Sequence, residues 1–156
     1  MWAVEHSVDT RASRAAVWAA WADVAAWPAW DRGLEAASLD GAFAGGCGGR
    51  LQPGGLRPMD FTLAGVEPLR GFEVVARLPL ARLHVEHALT DGPGGRTRVT
   101  HRLTLRGPLA PWWARAAGAG IAHELPGSVR RLARLAAADA SGMLPARAVP
   151  ATRWAA

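Results

Sequence analysis

The chain opens on an alternation of apolar and polar positions. In "WAVEHSVDT", Trp2, Val4, His6 and Val8 fall on one side, and Ala3, Glu5, Ser7 and Asp9 on the other. That two-residue period is the mark of a half-buried strand. The period then lengthens. In "RASRAAVWAAWADVAAWPAWD", Val17, Trp18 and Trp21 make an apolar stripe at helical steps. Ser13 stands where its hydroxyl can cap this helix, and Asp23 where it can cap a second. Pro28 restricts Trp27 and is expected to end that second helix. Two short helices are predicted, over 13–21 and 24–28.

From Gly33 to Leu105 the texture changes to short apolar runs between turn signals. "GLEAASLDG", "AFAGGCGGRLQP", "MDFTLAGVEP", "GFEVVARLPL", "RLHVEHALT" and "RVTHRLTLRG" read as six strands of an antiparallel meander, and the opening strand makes seven. After Pro111, Trp113, Ala117, Ile121, Leu125, Val129, Leu132 and Leu135 or Ala136 recur at helical steps. Pro111 suits the first turn of this helix. Pro126 is expected to kink it, and Gly118, Gly120 and Gly127 to weaken it. "SGMLPARAVPATRWAA" has no period. It reads as a loose tail, 141–156, in which Leu144 or Trp154 can pack, after a single domain over 1–140.

The last hairpin holds three of the five histidines, His84, His87 and His101. If Leu89 opposes Thr97 across "DGPGG", then His87 opposes Val99, Val85 opposes His101 and Leu83 opposes Leu103. Leu83, Val85, His87 and Leu89 then share a face with Val99, His101, Leu103 and Leu105. Arg82, His84, Glu86, Thr100, Arg102, Thr104 and Arg106 take the other face. A slip of one residue would mix the two sets. His84 and His87, three apart on a strand, point to opposite faces and cannot chelate together. His87 and His101 lie diagonally on the apolar face, within about 8 Å. That is far for a shared metal, and no third ligand is evident, so no metal is expected. Two readings of the pair stay open: core histidines bonded to backbone or each other, and polar groups lining a cavity.

Composition bounds the function. With 156 residues there is room for one domain with a real core. No run of eighteen apolar residues occurs, so no spanning helix is expected. "MWAVEHSVDTR" does not read as a secretory signal. The single cysteine, Cys47, excludes an internal disulfide and fits a reducing compartment, so a cytoplasmic location is expected. The net charge is +5, and every basic residue is arginine. The arginines are scattered; only Arg130, Arg131 and Arg134 cluster. That run reads as the solvated face of the last helix, and no nucleic-acid partner is expected.

Two motifs carry no chemistry. "HELPG" begins like a zinc-protease helix, but Gly127 stands where the second histidine must be. "GGCGGR" lies between strands rather than opening a helix, so it is a poor phosphate cradle. Its expected role is a bend or a close backbone approach in a curved sheet. Cys47 has no evident activating partner.

Four segments in order resemble a known family. "VWAAWADVAAWPAWD" resembles the helical entry of the START-like, or SRPBCC, superfamily, in its polyketide cyclase/dehydrase-type branch. "GVEPLRGFEVV" is similar to that branch's strand–turn–strand segment. "VEHALTDGPGGRTRVTHRLTLRGPLAPWW" is similar to its final hairpin, and "HELPGSVRRLARLA" to the end of its last helix. The resemblance covers residues 2–138. It implies an α+β helix-grip fold, in which a strongly curved seven-stranded antiparallel sheet wraps the long C-terminal helix around a mostly apolar cavity. It also implies ligands such as lipids, sterols, hormones or polyketides, with cyclisation, dehydration or hydrolysis in a minority of members. The residue pattern agrees, because one helix cannot cover the apolar face of seven strands.

The face assignment nominates a lining. Met59, Phe61 and Leu63 come from one strand, and Phe72, Val74, Ala76 and Leu78 from the next. His87 and His101 supply polar groups. Trp30 sits where the helical entry meets the sheet, and Trp113, Ala117 and Ile121 face in from the helix. Ala117, Gly118 and Gly120 thin the helix, beside a ligand or through composition alone. The main functional reading is a cavity that binds a hydrophobic or aromatic small molecule, lipid- or polyketide-like, without a cofactor. The alternative is a polyketide aromatase/cyclase-like enzyme. In it His87 or His101, near neutral pKa, abstracts a proton beside a ketone and Arg50 or Arg77 holds the enolate. The face assignment turns Arg77 outward, which leaves Arg50 as the candidate. A third reading, a membrane-surface or protein-binding module, rests on Arg130, Arg131 and Arg134. No stable membrane insertion is expected. Exposed tryptophans such as Trp112 and Trp154 leave a homodimer open.

Overall fold

The two-residue period of the opening segment becomes strand β1 (Trp2–Thr10), along which buried and exposed positions alternate. The computed structural model describes residues 2–140. The anticipated tail, with Leu144 and Trp154, lies outside the described residues. Helix α1 (Arg14–Ala22) starts at Ser13, whose hydroxyl accepts the Ala16 N–H at 3.1 Å. It buries Val17, Ala20 and Trp21. A 3₁₀ helix follows at Val24–Ala29, without a side-chain cap from Asp23. Pro28 lies inside this element instead of ending it, because the ring's fixed φ also suits 3₁₀ geometry.

Strands β2 (Leu34–Leu39), β3 (Gly48–Pro53), β4 (Met59–Glu67), β5 (Gly71–Leu78), β6 (Ala81–Asp91) and β7 (Thr97–Arg106) form the meander, and helix α2 (Ala110–Ala140) closes the domain. The seven strands make one curved antiparallel sheet in the order β1-β7-β6-β5-β4-β3-β2. This is the helix-grip fold, with the two short helices after β1. Only part of "AFAGGCGGRLQP" is strand: residues 42–47 form the approach to β3, where Gly46 has φ +89°. No helix among the described residues is long and apolar enough to cross a membrane.

The β6–β7 pairing differs from the expected register. His87 opposes His101, Val85 opposes Leu103 and Leu89 opposes Val99, a displacement of two residues along β7. An even shift leaves every side chain on its expected face. The ladder continues to Asp91 and Thr97, so the turn spans only residues 92–96. It is closed by the Gly92 N–H on the Arg96 carbonyl at 2.8 Å. Gly94 and Gly95 reverse the chain at φ +66° and +73°, which glycine adopts at little cost.

Helix α2 stays helical through Pro126 and buries Leu125, Val129, Leu132 and Ala136. It packs on β1 and β7, reaches β6 and touches α1, whereas the 3₁₀ helix packs on β2. The two helical units thus approach the concave face of the sheet from different sides. Gly118 does not face a ligand site: a β-carbon there would lie 2.9 Å from Trp2 Nε1. Its lack of a side chain seats α2 against β1.

The glycine-rich stretch has the anticipated close approach at Gly49. A β-carbon there would overlap the Ser38 carbonyl oxygen and sit 2.5 Å from Phe61 Cζ. Gly45 meets nothing within 4 Å. Gly49→Ala is therefore expected to destabilise the fold by roughly 2 kcal/mol or more, and Gly45→Ala to stay within about 0.5 kcal/mol. Urea denaturation of the two variants side by side checks this; equal midpoints would refute it.

Candidate ligand cavity

The concave face of the sheet is filled at one end and hollow at the other. The filled end is an aromatic cluster. Trp21 and Trp27, from α1 and the 3₁₀ helix, pack on Phe72 and Phe61 from the sheet, with ring centroids 5.3 Å (Trp21–Phe72) and 5.8 Å (Trp27–Phe61) apart. Trp18 and Phe43 close the cluster, each against Phe72. At the hollow end a cavity of about 380 Å³ lies between the sheet and α2, within the size range of small-molecule sites.

Many of the nominated residues line this cavity. Met59, Val74, Leu78, His87 and His101 do so from the sheet, Trp30 from beyond the 3₁₀ helix, and Trp113, Ala117 and Ile121 from α2. Four nominees do not. Phe61, Leu63 and Phe72 are buried in the core, where the cluster under α1 and the 3₁₀ helix occupies the space beside Phe61 and Phe72. Ala76 is fully buried between Phe61 and Leu83 on neighbouring strands and is too short to reach the hollow. The remaining wall includes Leu83, Val85, Leu103 and Leu105. The hairpin's face assignment had already put these four beside the histidines. Trp27, Leu34, Leu51 and Leu56 also line the cavity; only tertiary packing brings them there.

Arg50 is not at the site. Its neighbours Gly49 and Leu51 are buried, so its own side chain turns to the convex face, where it is 58% exposed and lies 3.4 Å from Asp60. Arg77 is exposed, as expected. His84 also faces away, with its Nδ1 2.5 Å from Glu73 Oε1.

The two cavity histidines are direct cross-strand neighbours with ring centroids 4.5 Å apart. Phe72 stacks on His87 at 4.1 Å, so His87 sits on the boundary between cluster and cavity. Trp21 Nε1–H donates to His101 Nε2 at 3.2 Å. An indole N–H can only donate, so His101 accepts at Nε2 and carries its proton on Nδ1. His87 Nδ1 and Trp30 Nε1 are buried without a hydrogen-bond partner among the described residues. Burial pushes the His87 pKa down to about 3. Burial also pushes His101 well below its ordinary value, helped by the neighbouring His87 and His6. Neither imidazole thus keeps the near-neutral pKa expected of it: taking charge away from water costs more than these imidazoles gain by protonation.

A polar edge completes the wall with Asp31, Glu124 and Ser128. Burial raises the Asp31 pKa, although its Oδ1 accepts the Gly33 N–H at 3.0 Å. Arg131 Nε donates to the Trp30 carbonyl at 3.0 Å, and its guanidinium also pairs with Glu124. Arg131 thus ties α2 to the end of the 3₁₀ helix. Its place in the Arg130, Arg131, Arg134 run gave no sign of this, since helical phase alone does not show which of three arginines turns inward.

The two imidazoles bind protons more readily in the unfolded chain than in the fold. Their contribution to stability is complete above the ordinary histidine pKa of about 6.5 and is lost as pH falls toward about 3 for His87. Unfolding free energy is expected to drop on acidification with a slope approaching about 1.4 kcal/mol per pH unit for each histidine. Denaturation across this pH window should show a shallower slope for His87→Leu. A variant with the parent's slope would contradict the assignment.

Comparison with known proteins agrees with this geometry. The chain is similar in structure to the ZhuI aromatase/cyclase from Streptomyces sp. R1128, with 19% identity and a TM-score of 0.69 over 89% of this chain and 95% of that one. It is similar to protein MLL2253 from Mesorhizobium loti, with 20% identity and a TM-score of 0.68 over 86% and 96% of the two chains. It is similar to TTHA0849 from Thermus thermophilus, with 12% identity and a TM-score of 0.67 over 88% and 98%. At these identities the likeness establishes the fold. No curated protein matches the chain by sequence. The family model described as polyketide cyclase/dehydrase and lipid transport matches residues 1–137, and the chain belongs to that family.

Proposed function

We propose that the protein binds an apolar or aromatic small molecule, lipid- or polyketide-like, in the cavity between sheet and α2, without transforming it. One observation carries the reading: a hollow of about 380 Å³, almost wholly apolar, whose wall holds two uncharged imidazoles. Apolar area then supplies affinity, at about 25 cal/mol per Å² before ordering costs. The imidazoles offer a hydroxyl or carbonyl group somewhere to bond. The aromatase/cyclase named among the similar structures supports a polyketide-like ligand. The cyclase-like mechanism itself gains nothing from the residues. An imidazole with a pKa of about 3 is a poor base at neutral pH, His101 Nε2 is engaged by Trp21, and Arg50 is on the opposite face of the sheet.

Native mass spectrometry of protein purified from its own host is expected to show a co-purifying apolar molecule. Ala117→Phe places a ring in the cavity from a half-buried position on α2. It should keep the fold and reduce loading with that molecule at least about tenfold. His87→Leu should weaken binding of a hydroxyl- or carbonyl-bearing ligand by roughly 0.5–1.5 kcal/mol, the net worth of one hydrogen bond. No bound molecule, together with an Ala117→Phe variant that takes up apolar probes as well as the parent does, would end the proposal. So would turnover of a candidate polyketide that disappears in His87→Leu or His101→Leu.

A further inference from the structure

Beyond the cavity along α2 lies a second depression, of about 310 Å³, between the end of β1, the β6–β7 turn and the C-terminal half of the helix. Arg11, Arg96, Arg130 and Arg134 all line it. Their convergence follows from the fold. Thr10 and Thr97 form the last pair of the β1–β7 ladder, so Arg11 and Arg96 flank its end. Arg130 and Arg134 are four apart on α2 and share one face. All four are exposed, and none belongs to a salt bridge among the described residues, where Arg14, Arg50, Arg98 and Arg131 take those roles. The carboxylate in the lining, Asp9, is held through both oxygens by Arg98, at 2.9 and 3.2 Å. Asp91, at the end of β6, is taken by Arg14 at 2.9 Å. Residues 141–156 contain no Asp or Glu.

Four arginines in one lining concentrate positive charge there, and like charges four apart on a helix, as at Arg130 and Arg134, destabilise it. The carboxylate in the lining, Asp9, binds Arg98 and also attracts Arg96, so its single negative charge is shared and the lining keeps a net positive charge. Guanidinium forks match phosphate oxygens in charge and in bidentate geometry. We propose that this groove is a binding site for a phosphate group carrying two or more negative charges. The group can belong to a free di- or triphosphate compound or to a phosphomonoester lipid headgroup. The site is separate from the cavity, and it does not depend on what the cavity holds.

The test uses the whole chain and two probes. Inorganic pyrophosphate is titrated calorimetrically at low and high salt, and phosphatidylcholine vesicles with and without phosphatidic acid are used for flotation. The expected result is saturable binding, weakened by salt, to at least one of the two phosphate probes. Arg130→Gln/Arg134→Gln should reduce it at least about tenfold. The charge-matched control Arg77→Gln/Arg82→Gln, on the convex face, should stay within about twofold. Binding to phosphatidic acid vesicles alone assigns the group to a lipid surface, and binding to pyrophosphate alone assigns it to a free compound; both uphold the site. Without a probe, the groove variant should melt at or above the parent's temperature, because it loses repulsion. Three outcomes would overturn the proposal: no saturable binding to either probe, equal losses in groove and control variants, or a marked fall in melting temperature for the groove variant alone.

Discussion

The indole of Trp21 is the contact on which the arrangement of this domain turns. It is fully buried, it packs edge-on against Phe72 and His87, and its N–H ends on His101. A curved seven-stranded sheet presents more concave apolar surface than one helix can cover. Here the shortfall is divided. The helical entry drives Trp21 and Trp27 into one end of the concavity, and the other end stays hollow beneath α2. Trp21 stands at the dividing line. Its removal would open a large hole in the packed end, of the kind that costs about 3–5 kcal/mol in other cores. It would also leave His101 Nε2 without its donor.

Much of this was legible in the chain, and for a definite reason. Strand faces depend only on a period of two, so the inward set Leu83, Val85, His87, Val99, His101 and Leu103 held even though β7 is displaced by two residues. The displacement lay in the turn, where the pairing runs on to Asp91 and Thr97 and two glycines at positive φ make a tight reversal. Face assignment cannot say what covers a face, however. Phe61 and Phe72 point inward as Val74 does, yet the 3₁₀ helix and α1 pack on the first two and leave Val74 at the cavity. That difference is tertiary and has no local signature. Arg131 is the same case in reverse: an arginine in a basic run whose guanidinium is turned to the Trp30 carbonyl and Glu124.

Charge is sorted in the same way. Arginine is the only basic side chain apart from histidine, and it cannot escape burial by losing its proton. The fold therefore keeps Arg77, Arg82, Arg102 and Arg106 on the convex face and admits Arg131 to the cavity edge only with two partners. Histidine can enter the interior because it can stay neutral. Burial then removes most of its basicity and leaves its hydrogen-bonding capacity in place.

That separation decides what the cavity floor can do. A neutral imidazole in an apolar wall adds little for a ligand that cannot bond to it and favours one that can. The net worth of such a bond is about 0.5–1.5 kcal/mol. The desolvation of His87 Nδ1 and Trp30 Nε1, both already withdrawn from solvent, is a cost met on folding rather than on binding. The carboxylates of the wall, Asp31 and Glu124, stand at its polar edge, where Arg131 pairs with Glu124 and the Gly33 N–H with Asp31. The suppressed basicity of the two imidazoles follows from their own burial against the aromatic cluster. In the binding role proposed above, the pair then serves as neutral hydrogen-bonding groups rather than as bases.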